Sequence, residues 1–188
     1  MTVKNKELGN STESTQDILR DKIKDILHKK GSKLSKEEKK AYGKILVKIF
    51  EKEVLPKDAL KISDQDIVDI YFFGLQQFSM GKYREAKELF RMLTIFDFSK
   101  PDYFTSLGVC CHRLKEYQEA LGYYMGSIFL KDDDPTCFFY SYDCYMNINN
   151  KLGASLMLSN AIEKSGDKVK YADLKKRAQA LLAILEKT

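Results

Sequence analysis

The chain has 188 residues, enough for one well-buried core and short for two, and its net charge of +5 comes from 32 Lys and Arg against 27 Asp and Glu. It has no apolar run of the roughly 18 residues a membrane span needs, and it starts with polar Met1-Thr-Val-Lys-Asn-Lys6 where a signal peptide would be apolar, so a cytoplasmic protein is expected. The cysteines, Cys110, Cys111, Cys137 and Cys144, are too few and too clustered for a disulfide framework, and with only His28 and His112 beside them no metal or cofactor is expected.

Residues 1–15 are polar and aperiodic, which reads as a disordered tail. Residues 16–60 carry two amphipathic helical patterns. In the first, Ile18, Leu19, Ile23, Ile26 and Leu27 share a stripe that ends at Gly31. In the second, Ser35-Lys-Glu-Glu38 reads as a capping box, and Tyr42, Ile45, Leu46, Ile49, Phe50 and Val54 follow at helical spacing until Pro56. Each apolar face must bury itself on the rest of the chain, on the other helix or on a second subunit. Residues Tyr42, Ile45, Leu46, Ile49 and Phe50 are the expected dimerisation stripe of a homodimer.

Residues 61–168 contain a repeat. Taking Ile67, Pro101 and Pro135 as first positions puts Ala86, Ala120 and Ala154 in one column at a 34-residue period. Position 4 holds Ile70, Phe104 and Phe138, position 7 holds Phe73, Leu107 and Ser141, and position 8 holds Gly74, Gly108 and Tyr142. Position 24 gives Phe90, Tyr124 and Leu158, and position 27 gives Leu93, Ser127 and Ala161. The pattern is that of the tetratricopeptide (TPR) repeat: two antiparallel helices whose backbones approach at small residues while bulky ones fill the space between them. The expected fold is therefore all-α, three tandem TPR helix-turn-helix repeats in a short right-handed superhelix. Capping boxes at Ser63-Asp-Gln-Asp66 and Ser99-Lys-Pro-Asp102, and the cap Asp134 before Pro135, mark the starts of the first helices. Tyr142, standing where a small residue is needed, predicts a third helix pair that leans differently. In residues 169–188, Tyr171, Leu174, Ala178, Leu181, Leu182 and Leu185 form one more stripe, a C-terminal capping helix with Lys175, Lys176 and Arg177 facing outward.

The first helix of each repeat lines the inner side of such a stack. Positions 2, 5, 9 and 12 are Val68, Tyr71, Leu75 and Phe78 in repeat 1, Asp102, Thr105, Val109 and His112 in repeat 2, and Thr136, Phe139, Asp143 and Met146 in repeat 3. The expected peptide-binding groove is Val68, Tyr71, Leu75, Phe78, Thr105, Val109, His112, Phe139, Asp143 and Met146. Tyr71, Leu75, Phe78 and Phe139 are surplus to the repeat core and predict an apolar peptide ligand.

Phosphate binding needs Lys and Arg on the working surface, yet residues 61–162 hold 13 acidic and 10 basic residues, so no nucleic-acid partner is expected. A clamp for a C-terminal carboxylate needs Lys, Asn and Arg where this chain has Tyr71, Leu75, Ser106, Thr136 and Tyr140. Catalysis is not expected either, because Cys111 and His112 are neighbours that point to different faces of a helix and Asp132-Asp-Asp134 reads as a helix cap. A general TPR adaptor, or an oligomer whose groove is filled by its own N-terminus, are the remaining alternatives.

Specific segments narrow this further. Ile70-Tyr71, Phe78-Ser-Met-Gly81-Lys82-Tyr83-Arg-Glu-Ala86, Phe90 with Leu93, Phe96-Asp97, Leu107-Gly108-Val-Cys110, Tyr117 with Ala120, and Pro135 followed by Phe139, Asp143 and Cys144 resemble the class II chaperones of bacterial type III secretion. The resemblance covers about residues 60 to 165. It implies a bacterial cytoplasmic chaperone that holds an extended segment of the pore-forming translocator proteins in its groove, often as a dimer, without inserting into membranes.

Overall fold

The computed structural model describes residues 35–51, 54–131 and 133–187. The expected first helix, residues 17–30, lies outside them. So do the side chains of Tyr42, Leu46 and Phe50. Among the described residues all regular structure is helical: α1 (Lys36–Glu51), α2 (Pro56–Leu60), α3 (Asp64–Ser79), α4 (Tyr83–Phe96), α5 (Pro101–Arg113), α6 (Tyr117–Leu130), α7 (Pro135–Asn147), α8 (Lys151–Ser165) and, after a 3₁₀ turn at Val169–Tyr171, α9 (Ala172–Leu185). The chain divides into two compact units after Val54, six residues before the expected boundary at 60. The short α2 belongs with the repeats because Lys57 reaches from it to Asp64 at 2.5 Å and to the buried Asp97 at 3.6 Å.

Within the second unit the helices pack pairwise in chain order, α3 on α4, α5 on α6 and α7 on α8. The B helices begin at Tyr83, Tyr117 and Lys151, again 34 residues apart. Ala86, Ala120 and Ala154 are fully buried, as are Phe90 or its counterparts Tyr124 and Leu158. Helix A passes into helix B by one geometry used three times. Gly81, Lys115 and Asn149 take left-handed φ values of 75°, 63° and 58°, and the next N–H in each turn donates back to Gln77, Cys111 and Tyr145 at 2.9–3.0 Å. That bond satisfies a carbonyl the helix end leaves free, which is why the chain turns sharply at the same place in each repeat.

Close approach within the pairs rests on glycine. A Cβ on Gly74 would lie 2.8 Å from the Phe90 ring, and one on Gly108 would lie 2.7 Å from the Tyr124 ring. Repeat 3 reverses the arrangement: Tyr145 on α7 packs over Gly153 on α8, where a Cβ would come within 2.7 Å of the ring. The small residue has moved to the B helix, so the bulky Tyr142 does not prevent α7 and α8 from packing along their length. Gly122 is different. It is exposed on α6 and a Cβ there would meet nothing within 4 Å. Gly122→Ala should therefore stabilise the protein by about 0.5–1 kcal/mol through helix propensity alone, measured as a rise in the urea midpoint.

Three sequence expectations change. Ser99 does not cap α5; its N–H and hydroxyl both donate to Asp97, at 3.1 and 2.5 Å. Pro101 forces Lys100 to be extended, so the helix cannot start early enough for the box to form. The box at Ser63 and Asp66 and the Asp134 cap on the Thr136 N–H are both present. Phe73, expected in the core, is 51% exposed, whereas Leu107 and Ser141 in the same column are fully buried. Those two have a preceding repeat to pack against, and in the second unit Phe73 has none. Finally, Lys175 and Arg177 are not simply outward: the Lys175 ammonium donates to the Gly166 carbonyl at 2.7 Å, and the Arg177 guanidinium lies over the Phe139 ring, 5.0 Å from its centre.

Candidate functional site

The A helices form the inner side of the stack. α5 packs on α7 and α7 on α9, so helices two apart in sequence meet on that side, and α9 takes the place a fourth A helix would occupy. α5, α7 and α9 thus supply one continuous surface, and α3 adjoins it through Tyr71, whose ring centre lies 5.4 Å from that of Tyr103 on α5.

This surface holds a recess of about 570 Å³ between α5, α6, α7 and α9. Val109, His112 and Arg113 of α5, Lys115 of the turn, and Tyr117 and Tyr124 of α6 line it; α7 adds Phe139, Tyr140, Tyr142 and Asp143, and α9 adds Arg177 and Leu181. The His112 ring is its centre. Nε2 donates to the Asp143 carboxylate at 2.7 Å, and Nδ1 lies 3.3 Å from the Tyr124 hydroxyl. Tyr117, Tyr124 and Tyr140 stand around the imidazole with ring centres 5.8–6.5 Å away and edge-on. Burial pushes the Tyr124 phenol well above its ordinary pKa, so it stays a neutral donor. This packing gives walls of apolar ring faces with hydroxyls at fixed points, a surface suited to side chains of an apolar segment and to its backbone amides.

Four of the ten expected groove residues line the recess: Val109, His112, Phe139 and Asp143. On α3, Val68 and Leu75 are exposed at 41% and 38%. Tyr71 is half-buried against Phe90 and Tyr103, with its hydroxyl 3.4 Å from Ser106, and Phe78 packs on Tyr83. These two belong partly to the core rather than being surplus to it. Thr105 is taken up by a contact between repeats, its hydroxyl 2.8 Å from Ser127 and 3.3 Å from the Cys137 sulfur. Met146 is half-buried outside the recess. Sequence reasoning missed Arg113, Lys115, Tyr117, Tyr124, Tyr140, Tyr142, Arg177 and Leu181 as recess residues. Arg177 and Leu181 are four apart on a helix read only as a cap; their spacing was a signal, since they share a face with Leu174 and Ala178.

Elsewhere, Cys111, Glu116 and Glu119 form a cluster of metal-type donors. The Lys87 ammonium already lies among them, 2.5 Å from Glu116 and 2.7 Å from Glu119, as an ion pair tying repeat 1 to repeat 2. Burial disfavours that charge, but the two carboxylate hydrogen bonds outweigh it and hold the Lys87 pKa above its ordinary value. Burial also pushes the Cys110, Cys111 and Cys144 thiols up to about 12, which makes them packing groups and not nucleophiles at neutral pH.

Comparison with known proteins places this architecture. A family model described as anaphase-promoting complex, cyclosome, subunit 3 matches residues 51–126, short of half the chain. The low calcium response locus protein H of Yersinia pestis is 24% identical over 126 residues, covering 67% of this chain and 75% of that protein. The chaperone protein SicA of Salmonella typhimurium is 31% identical over 83 residues, covering 44% of this chain and 50% of SicA. Among solved structures, PcrH of Pseudomonas aeruginosa in complex with the chaperone binding region of PopD superimposes with a TM-score of 0.65 at 25% identity, over 66% of this chain and 94% of PcrH. The fold is that of the TPR-like type III secretion chaperones, and among the described residues no helix is long and apolar enough to cross a membrane.

Proposed function

From its homology to the low calcium response protein H and SicA chaperones, we propose that this chain is a cytoplasmic, non-enzymatic chaperone of bacterial type III secretion. It binds an extended segment of the translocator proteins on the inner side of its repeats and keeps them soluble until export. The observation that carries the reading is the aromatic recess around His112, a preformed apolar surface on the inner side of the repeats, in a chain whose fold resembles that of PcrH, solved in complex with the chaperone binding region of PopD. An extended segment suits it because it can lie along successive A helices and offer alternate side chains to the surface. Co-expression of the full chain with membrane-active translocator proteins should yield a soluble complex that co-purifies. Translocators that aggregate equally with and without the chain would sink this reading.

Self-association through α1 is part of the same proposal. Ile45 and Ile49, one turn apart on α1, are half-buried, while Lys36, Lys40, Lys44 and Lys48 are exposed. Ile45→Asp with Ile49→Asp should convert a dimer into a folded monomer by light scattering; a dimer that survives would place the interface elsewhere.

A further inference from the structure

Resting on the chaperone reading, we infer that the recess selects client segments in which an Asp or Glu side chain stands beside the apolar anchor. The rim of the recess carries three cations, Arg113, Lys115 and Arg177, and one carboxylate, Asp143. Asp143 is already engaged, by His112 at 2.7 Å and by the Asn147 amide at 3.4 Å. None of the three cations has a carboxylate partner among the described residues. The excess of positive charge is local: residues 61–162 as a whole hold more acidic than basic side chains. Elsewhere the cations are scattered singly over the exposed surface, as Lys61, Lys82, Arg84, Lys100 and Lys151 are, or held in ion pairs, Lys57 with Asp64 and Asp97, Lys87 with Glu116 and Glu119, and Arg91 with Glu88 and Glu119.

Position in the recess decides which anion fits. The floor is made of rings and hydroxyls with no buried cation, so a carboxylate driven deep would lose its water without a charged partner. Arg113, Lys115 and Arg177 are exposed at the edge, where a side-chain carboxylate can reach out while its apolar neighbour goes in. Arg177 holds a special place, lying over Phe139 at 5.0 Å, so it can meet an acid next to whatever covers that ring. Charges of this kind contribute little raw affinity at a solvated rim and act through specificity and encounter rate.

The test uses a random dodecapeptide library with amidated C-termini, selected on the full chain in low salt. Recovered peptides should carry apolar residues with Asp or Glu beside them. Resynthesised members should bind about three- to tenfold more weakly when the acid is changed to Gln, and the gap should close in molar salt, where screening acts within about 3 Å. Arg113→Glu with Lys115→Glu should reverse the preference toward Lys-bearing peptides, an outcome that loss of folding cannot produce. Apolar peptides recovered without a charge preference would overturn the inference and leave the chaperone reading standing. A preference found only in a second library with free C-termini would assign the cations to a terminal carboxylate and equally overturn it. Recovery of no peptide from either library would overturn the groove reading and the inference with it.

Discussion

Ala120→Leu should cost the protein about 1–3 kcal/mol and lower its melting temperature by several degrees, because the methyl group it replaces has no free surface at all. Ala120 opens helix α6 at the middle repeat, with α5 and α7 on either side, so three added carbons have no exit to solvent. Ala86→Leu and Ala154→Leu belong to the same column and are equally buried. Gly108→Ala is the sharper companion test. Its single added carbon would stand 2.7 Å from the Tyr124 ring, and the ring is itself fully buried and cannot swing away. The helix-propensity gain of about 0.5–1 kcal/mol from replacing glycine must then be outweighed by the clash. A melting temperature unchanged in both Ala120→Leu and Gly108→Ala would mean that the helix pairs do not pack as described.

The second large effect belongs to binding. Tyr140→Ala should weaken the hold on a translocator segment by about 2 kcal/mol or more, roughly thirtyfold, while changing stability little. Tyr140 is 36% exposed, stands in the recess and packs edge-on to His112, with its ring 5.8 Å from that of Tyr124. Tyr71 and Phe78 are poorer probes, since Tyr71 touches Phe90 and Tyr103 in the core and its removal would mix unfolding with loss of contact. Titration of a labelled client segment against each variant, with thermal melting in parallel, separates the two. Undiminished binding by a folded Tyr140→Ala protein would move the site away from the recess.

Much of the scaffold was legible because a 34-residue period leaves the same residue type at the same physical task. Alanine at position 20 is small because two helices cross there, and it is buried all three times. The Asp134 cap and the Ser63 box were legible for the same local reason, that helix starts leave N–H groups free. Ser99 has the spacing of a box but not the role, because Pro101 at the first helical position makes Lys100 the cap. The site was less legible. Inward positions on one helix can be counted, which found Val109, His112, Phe139 and Asp143, but a recess is shared between helices. Tyr117 comes from a B helix, and Arg177 and Leu181 come from α9, seventy residues beyond Val109 in the chain; only packing brings them together. Thr105 has the right position and the wrong partners, because Ser127 and Cys137 claim its hydroxyl.

Repeat 3, where the small residue sits on α8 and not on α7, limits how such a chain can be rebuilt by recombination. Copying α5 into the place of α7 would set a glycine at 142 before Leu158 and a cysteine at 145 before Gly153, leaving two voids where Tyr142 and Tyr145 now fill space. The heritable unit is therefore the matched helix pair: duplications or shuffled segments that break between A and B helices should yield unstable products, whereas those that break between pairs keep each glycine with its own aromatic.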